Sequence, residues 1–158
     1  MSAEAQTTLR EALSDVLERM AFMFAEETPK EELAPPEGPA LCAQMSFKGH
    51  GSGTIRLWVP QSLCPEMAAN VLGLEPDDEL CRERGIDALK ELLNVTCGKL
   101  LTDLYGERYV FDLTPPETTV LDEDGWRQAL ADETSTAFTV EDRPVLVSIR
   151  LTPGEASA

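Results

Sequence analysis

Between Ile86 and Leu104 the apolar residues recur at helical spacing for about five turns, and this constrains the fold more than any other feature of the chain. Ile86, Leu89, Leu93, Cys97, Leu100 and Leu104 form one stripe, and Gly106 closes the segment. Pro76-Asp77-Asp78-Glu79 opens it, placing acids where the helix dipole favours them. A helix this long with a single apolar side must lie on something. Val145, Val147, Ile149 and Leu151 alternate strictly, which is the period of a half-buried strand. With both periods inside 158 residues, the expected class is a single α/β (α+β) domain in which helices cover a sheet.

The remaining segments fill out that expectation. Leu9, Leu13, Val16, Leu17 and Met20 predict an amphipathic helix from about Thr8 to about Glu26, with Thr8 and Glu11 as a capping box. Glu27–Pro39 reads as a loop. Ala40–Lys48 and the alternating Ile55, Leu57 and Val59 read as a hairpin around Gly49-His50-Gly51-Ser52-Gly53. Ser62 caps a short helix that Gly73 stops. Beyond the long helix come a strand at Tyr109–Leu113, a short helix at Asp122–Leu130 and strands at Thr136–Val140 and Val145–Leu151. Residues 1–6 and 153–158 are expected to fray. Helix then hairpin, followed by helix then strands, is a rough half-repeat.

Charge narrows the partners. A net charge of −16 repels phosphate backbones and anionic lipid, so neither nucleic acid nor a membrane surface is an expected partner. The N-terminus has neither a basic nor an apolar region of a signal peptide, and no run is long enough to span a bilayer, so a cytoplasmic location is expected. Cys42, Cys64, Cys81 and Cys97 are scattered and His50 is the only histidine, which suits buried thiols and no metal site. His50 has no Ser or Cys partner in view, and GHGSG joins two strands without the lysine and helix of a phosphate loop. Met20, Phe22, Met23 and Phe24 are assigned to the core. Asp77-Asp78 and Asp122-Glu123-Asp124 are assigned to helix caps rather than to cation binding.

The chemistry lies on the long helix. At about 100° per residue, Asp87, Glu91, Asn94 and Gly98 fall within about 60° of one another, about 130° from the centre of the apolar stripe. One ridge therefore carries a carboxylate, then a carboxamide, then a gap. Mid-helix glycine costs about 1 kcal/mol against alanine, and asparagine is a mediocre helix former. An amide can orient a water and a carboxylate can pair with a lysine, but neither is a good nucleophile here. Hydrolysis by a positioned water fits this pair better than covalent catalysis.

This stretch resembles the D/S-x-x-x-E-x-x-N signature of the CheC/CheX/FliY chemotaxis phosphatases. Asp87, Glu91 and Asn94 fill its three positions, and Gly98 matches a glycine often found one turn later. The order of elements resembles a CheX-like domain over nearly the whole chain, residues 1–158, with long helices on a mostly antiparallel sheet. The family's later proline falls at Glu117, with Pro115 and Pro116 just before it. A second signature on the first helix is degenerate: Ser14 and Glu18 are present, but Ala21 stands where the asparagine belongs, so no activity is expected there. One intact copy is closer to CheX than to CheC. The resemblance implies a phosphatase acting on the aspartyl phosphate of a CheY-type response regulator. Glu91 would pair with the regulator's lysine and Asn94 would orient the water, with Asp87 in support and Gly98 leaving room for the partner. It implies no cofactor in this chain, Mg²⁺ on the regulator, and a homodimer formed partly by sheet pairing, for which strand 145–151 offers an edge. The alternative reading is a non-catalytic binding or scaffold module of the same fold in chemotaxis or flagellar-switch signalling.

Overall fold

The computed structural model describes residues 2–152. Helix α1 (Ser2–Ala21) leads to a short strand β1 (Ala25–Glu27), a 3₁₀ turn and the hairpin β2 (Ala40–Lys48) and β3 (Gly53–Pro60). Helices α2 (Leu63–Leu72), α3 (Glu79–Glu83) and α4 (Gly85–Tyr105) follow. The chain ends with β4 (Asp112–Leu113), β5 (Glu117–Leu121), α5 (Glu123–Ala131), β6 (Ser135–Val140) and β7 (Arg143–Leu151).

The seven strands form one sheet in the order β1-β6-β7-β3-β2, with β4 and β5 sharing the far side of β2. Every pairing is antiparallel. Alternation along the strands separates two apolar layers. Leu41, Ala43, Met45, Ile55, Leu57, Val59, Val145, Val147 and Ile149 face the layer built by α1, α2 and α4. Cys42, Trp58, Ala137 and Leu146 face the opposite side, where α5 covers them with Trp126. All four cysteines are free and buried.

The two long helices run antiparallel, as the sheet directions require. Arg10 of α1 pairs with Glu27 of β1 at 3.1 Å, so α1 runs against β1. Four antiparallel steps, through β6, bring β7 parallel to β1, β3 opposed to it, and β2 parallel to it again. The start of α4 packs at Cys64, just past the end of β3, and its end packs at Gly51 in the β2–β3 turn, so α4 runs with β2. Lys99 of α4 lies 3.6 Å from Asp15 of α1 and joins the helices side by side.

Several expectations need correcting. Strand β7, taken as a dimerisation edge at 145–151, lies inside the sheet between β3 and β6. Helix α1 begins at Ser2, so Thr8 is not its cap and residues 2–6, expected to fray, are helical; residues 153–158 lie outside the described residues. It also ends at Ala21 rather than near Glu26. Phe22 turns the chain with φ 54°, and the Met23 N–H donates to the Leu17 carbonyl at 3.0 Å. Glycine is the usual occupant of such a left-handed position; for another residue it costs about 1–2 kcal/mol. Met23 is buried, as expected, but Phe22 and Phe24 are 68% and 73% exposed and do not belong to the core. The long helix is broken at Arg84, whose φ of −99° and ψ of 5° end α3 and start α4; next to the break Gly85 sits against Cys64, where an added Cβ would lie 3.0 Å from the Cys64 Cβ. Of Tyr109–Leu113 only Asp112–Leu113 is strand, and β5 appears where no element was expected.

Candidate functional site

Helix α4 is held on three sides, which makes it a rigid platform. Ala88, Leu89, Leu92, Leu93, Cys97, Leu100 and Leu101 are buried on its inner side. The Thr96 hydroxyl is satisfied by the Leu92 carbonyl at 2.7 Å. Lys99 reaches both Asp15 at 3.6 Å and Asp103 at 3.5 Å. The second of these pairs is legible as an i,i+4 spacing; the first, between helices, is not.

On the outer side the structure places Asp87, Glu91, Asn94 and Gly98, all exposed, along one ridge. Among the described residues no ion pair engages Asp87 or Glu91, and no side-chain hydrogen bond engages Glu91 or Asn94. The nearby Lys99 is committed elsewhere. Both groups are therefore open to an external partner. Gly98 is the informative residue. A Cβ added there meets nothing within 4 Å, unlike the Cβ that Gly85 would carry. The fold does not need the gap at Gly98, yet the helix carries its cost.

The ridge is convex. The cavity of about 1010 Å³ lies elsewhere, between Pro35, Pro36, Val120 and Trp126, and has no lining from the ridge. A convex carboxylate–amide pair cannot enclose a small substrate; it can complete a reaction centre that a docking partner supplies. Among the described residues no cluster of three or more His, Cys, Asp or Glu is placed to hold a metal ion.

The other candidates have local roles. His50 stacks on Tyr109 at 4.0 Å and meets Tyr105 edge-on at 5.7 Å, packing the end of α4. Asp78 caps α3 by accepting from the Leu80 N–H at 2.9 Å, and Asp122 caps α5 by accepting from the Gly125 N–H at 2.8 Å. Ala21, the degenerate position on α1, is fully buried, and its carbonyl accepts from the Asn70 amide at 2.7 Å. Burial raises three thiols well beyond neutrality, Cys42 and Cys97 to about 11 and Cys64 to about 12. Desolvation, with Asp78 and Asp77 nearby, also raises Cys81. No thiolate nucleophile is available from these residues near neutral pH.

Comparison with known proteins bears on the family and the fold. The family of the chemotaxis phosphatase CheX matches residues 41–139. The curated proteins give no match. Among solved structures, the chemotaxis protein CheX of Vibrio vulnificus is similar with a TM-score of 0.68 at 18% identity, covering 94% of this chain and 99% of that one. CheX of Desulfovibrio desulfuricans gives 0.65 at 16% identity, with 94% and 99% covered. A CheX–CheY–BeF3–Mg complex from Borrelia burgdorferi gives 0.60 at 22% identity, with 92% and 96% covered. At these identities the likeness establishes a shared fold.

Proposed function

The chain belongs to the family of the chemotaxis phosphatase CheX, and we propose that it hydrolyses the aspartyl phosphate of a CheY-type response regulator. The observation that carries this reading is the exposed Glu91–Asn94 pair, without side-chain partners among the described residues, on a convex helix whose Gly98 leaves open space. The resemblance of Asp87, Glu91 and Asn94 to the family signature supports it, as does the partner in the Borrelia burgdorferi complex.

In this reading α4 docks on the regulator's phosphorylation site. The Glu91 carboxylate accepts from the regulator's lysine ammonium and fixes the docked geometry. The Asn94 carboxamide binds a water and aims its lone pair at phosphorus, opposite the aspartyl oxygen. The water oxygen bonds to phosphorus as the bond from phosphorus to the aspartyl oxygen breaks. That electron pair returns to the aspartate carboxylate, and phosphate leaves with the water's remaining atoms. Catalysis is then by positioning, which phosphoryl transfer rewards because little covalent work is asked of the protein. Asp87 supports the ridge and Gly98 admits the partner's loops. Mg²⁺ belongs to the regulator, where it would offset phosphate charge. A cytoplasmic homodimer completes the proposal. With β7 inside the sheet, the pairing edge is assigned to β5.

The test is loss of phosphate from a phosphorylated CheY-type regulator with wild type and Asn94→Ala. Asn94→Ala is expected to lower kcat by about 10²-fold while sparing docking, the scale of a lost positioning contact. Wild-type turnover in Asn94→Ala overturns the assignment of the water-positioning residue. No acceleration by the wild-type protein favours a binding module.

A further inference from the structure

The ridge alone is a poor docking surface. Asp87, Glu91, Asn94 and Gly98 offer charge, an amide and a gap, whereas protein interfaces draw most of their affinity from a few buried apolar or aromatic anchors. Two exposed phenylalanines are placed to supply them.

The antiparallel pairing of α1 and α4 sets their level. From the Asp15–Lys99 contact, equal steps reach Phe22 on one strand of chain and Leu92 on the other, about 10 Å of helix rise in each case. Phe22 thus lies level with Leu92, between Glu91 and Asn94. Packed helices sit about 8–10 Å apart. A standard interface covers about 800 Å² per partner, a disc about 16 Å in radius. A regulator centred on Glu91 and Asn94 therefore extends over the end of α1. Asn70 of α2 holds that end in place through the Ala21 carbonyl, and α2 packs on the start of α4 through Cys64 and Gly85.

Phe22 is also costly to the fold. It is 68% exposed, buries little and occupies a left-handed position with φ 54°. Strain held at an exposed aromatic residue points to selection for something other than folding. Phe24 is 73% exposed on the same connection. In the half-repeat that aligns Ala21 with Asn94, Phe22 aligns with Val95, itself 40% exposed. Apolar groups thus flank the ridge on the α4 surface and at the end of α1.

We infer that Phe22 and Phe24 are the apolar anchor of the response-regulator interface, the α1 end acting as a binding element while α4 carries the chemistry. This rests on the reading of Glu91 and Asn94 above. The test compares Phe22→Gly, Phe24→Ser, Phe22→Tyr and Asn94→Ala on one phosphorylated regulator. Thermal melting and affinity for the beryllofluoride-activated regulator are measured alongside. Phe22→Gly is expected to melt higher than wild type, because strain is relieved, yet to raise KM and Kd about 10-fold with kcat unchanged. Phe24→Ser raises both several-fold, and Phe22→Tyr restores wild-type affinity. A Phe22→Gly protein with KM and Kd within twofold of wild type, while Asn94→Ala has lost kcat, overturns the anchor and leaves the catalytic reading intact. Loss of self-association in Phe22→Gly with unchanged KM assigns the surface to a second copy instead. Undiminished turnover in Asn94→Ala overturns the catalytic reading independently.

Discussion

A glycine within a helix has two physical explanations, and Gly85, the first residue of α4, and Gly98, in its middle, provide one example of each. At Gly85 an added Cβ would meet the Cys64 Cβ at 3.0 Å and the Cys64 backbone carbon at 3.2 Å, so the missing side chain serves packing within the chain. At Gly98 an added Cβ meets nothing within 4 Å. Gly98→Ala is therefore expected to stabilise the protein by about 1 kcal/mol, raising Tm by about 2–4 °C. If a partner loop uses the gap, the same change raises KM for the phosphorylated regulator severalfold with kcat little altered, and calorimetry and kinetics on one preparation read both effects. Gly85→Ala moves stability the other way. A Gly98→Ala protein that is more stable and fully active would show the gap to be incidental. The sequence identified Gly98 as anomalous, but separating the two glycines needed to know what lies beside each.

At the scale of elements, what could be read in advance follows burial. Strand β2 agrees with expectation at both ends, and β3, α2, β6 and β7 within one or two residues, because their buried faces impose a clean period. Strand β5 carries no readable period because none of its residues is buried and its two half-buried ones, Thr118 and Leu121, lie on opposite faces, although Thr118, Thr119 and Val120 are β-branched. The end of α1 was misplaced because a phenylalanine occupies the helix-stopping position where glycine is the readable signal. The ridge on α4 was legible because it depends on helical spacing alone; the anchor at the end of α1 was not, because it depends on how two helices pack. Asp132 shows how such joints are secured. Burial disfavours its charge. Hydrogen bonds from the Thr134 hydroxyl at 2.7 Å, from Arg150 at 2.9 Å and from the Thr134 N–H at 2.8 Å outweigh this, together with the Arg150 charge, and its pKa falls to about 2. A depressed carboxylate pKa contributes stability that is complete above the unfolded value and fades as pH falls through the folded one. Asp132→Asn is expected to cost about 1–2 kcal/mol at pH 7, discounted for the half-exposed Arg150, with the difference from wild type shrinking between about pH 4 and pH 2. Denaturant melts of the two proteins across that range check it; a constant difference would contradict the role of the ionised carboxylate.

For the whole molecule the question is what a net charge of −16 means for the proposed pairing with a second copy. Between Gly38 and Glu75 only Glu66 and Glu75 are acidic, so the hairpin β2–β3 and helix α2 are nearly free of negative charge, and the acids crowd α1, α4 and the C-terminal third. The sheet has two outer edges. Strand β1 is three residues long, and its two glutamates blunt pairing. Strand β5 borders β2, the less acidic part of the sheet, and shows Val120 69% exposed with one long side unpaired among the described residues. Pairing β5 with a second β5 buries apolar surface and main-chain groups on the side of the sheet away from β1, at the cost of bringing Glu117 and Asp122-Glu123-Asp124 of the two copies near one another. Charge still works against it at long range, with a screening length of about 10 Å at 0.1 M salt. The protein is therefore expected to sediment as a dimer whose dissociation constant falls as salt rises from about 0.05 to 0.5 M, the opposite of a contact held by ion pairs. Val120→Asp adds a charge at the pairing edge and is expected to yield a monomer at micromolar concentration. Because the Glu91–Asn94 ridge lies on α4 and not on β5, that monomer keeps its kcat. A dimer unaffected by Val120→Asp would move the interface away from β5, and a monomeric wild type would remove it.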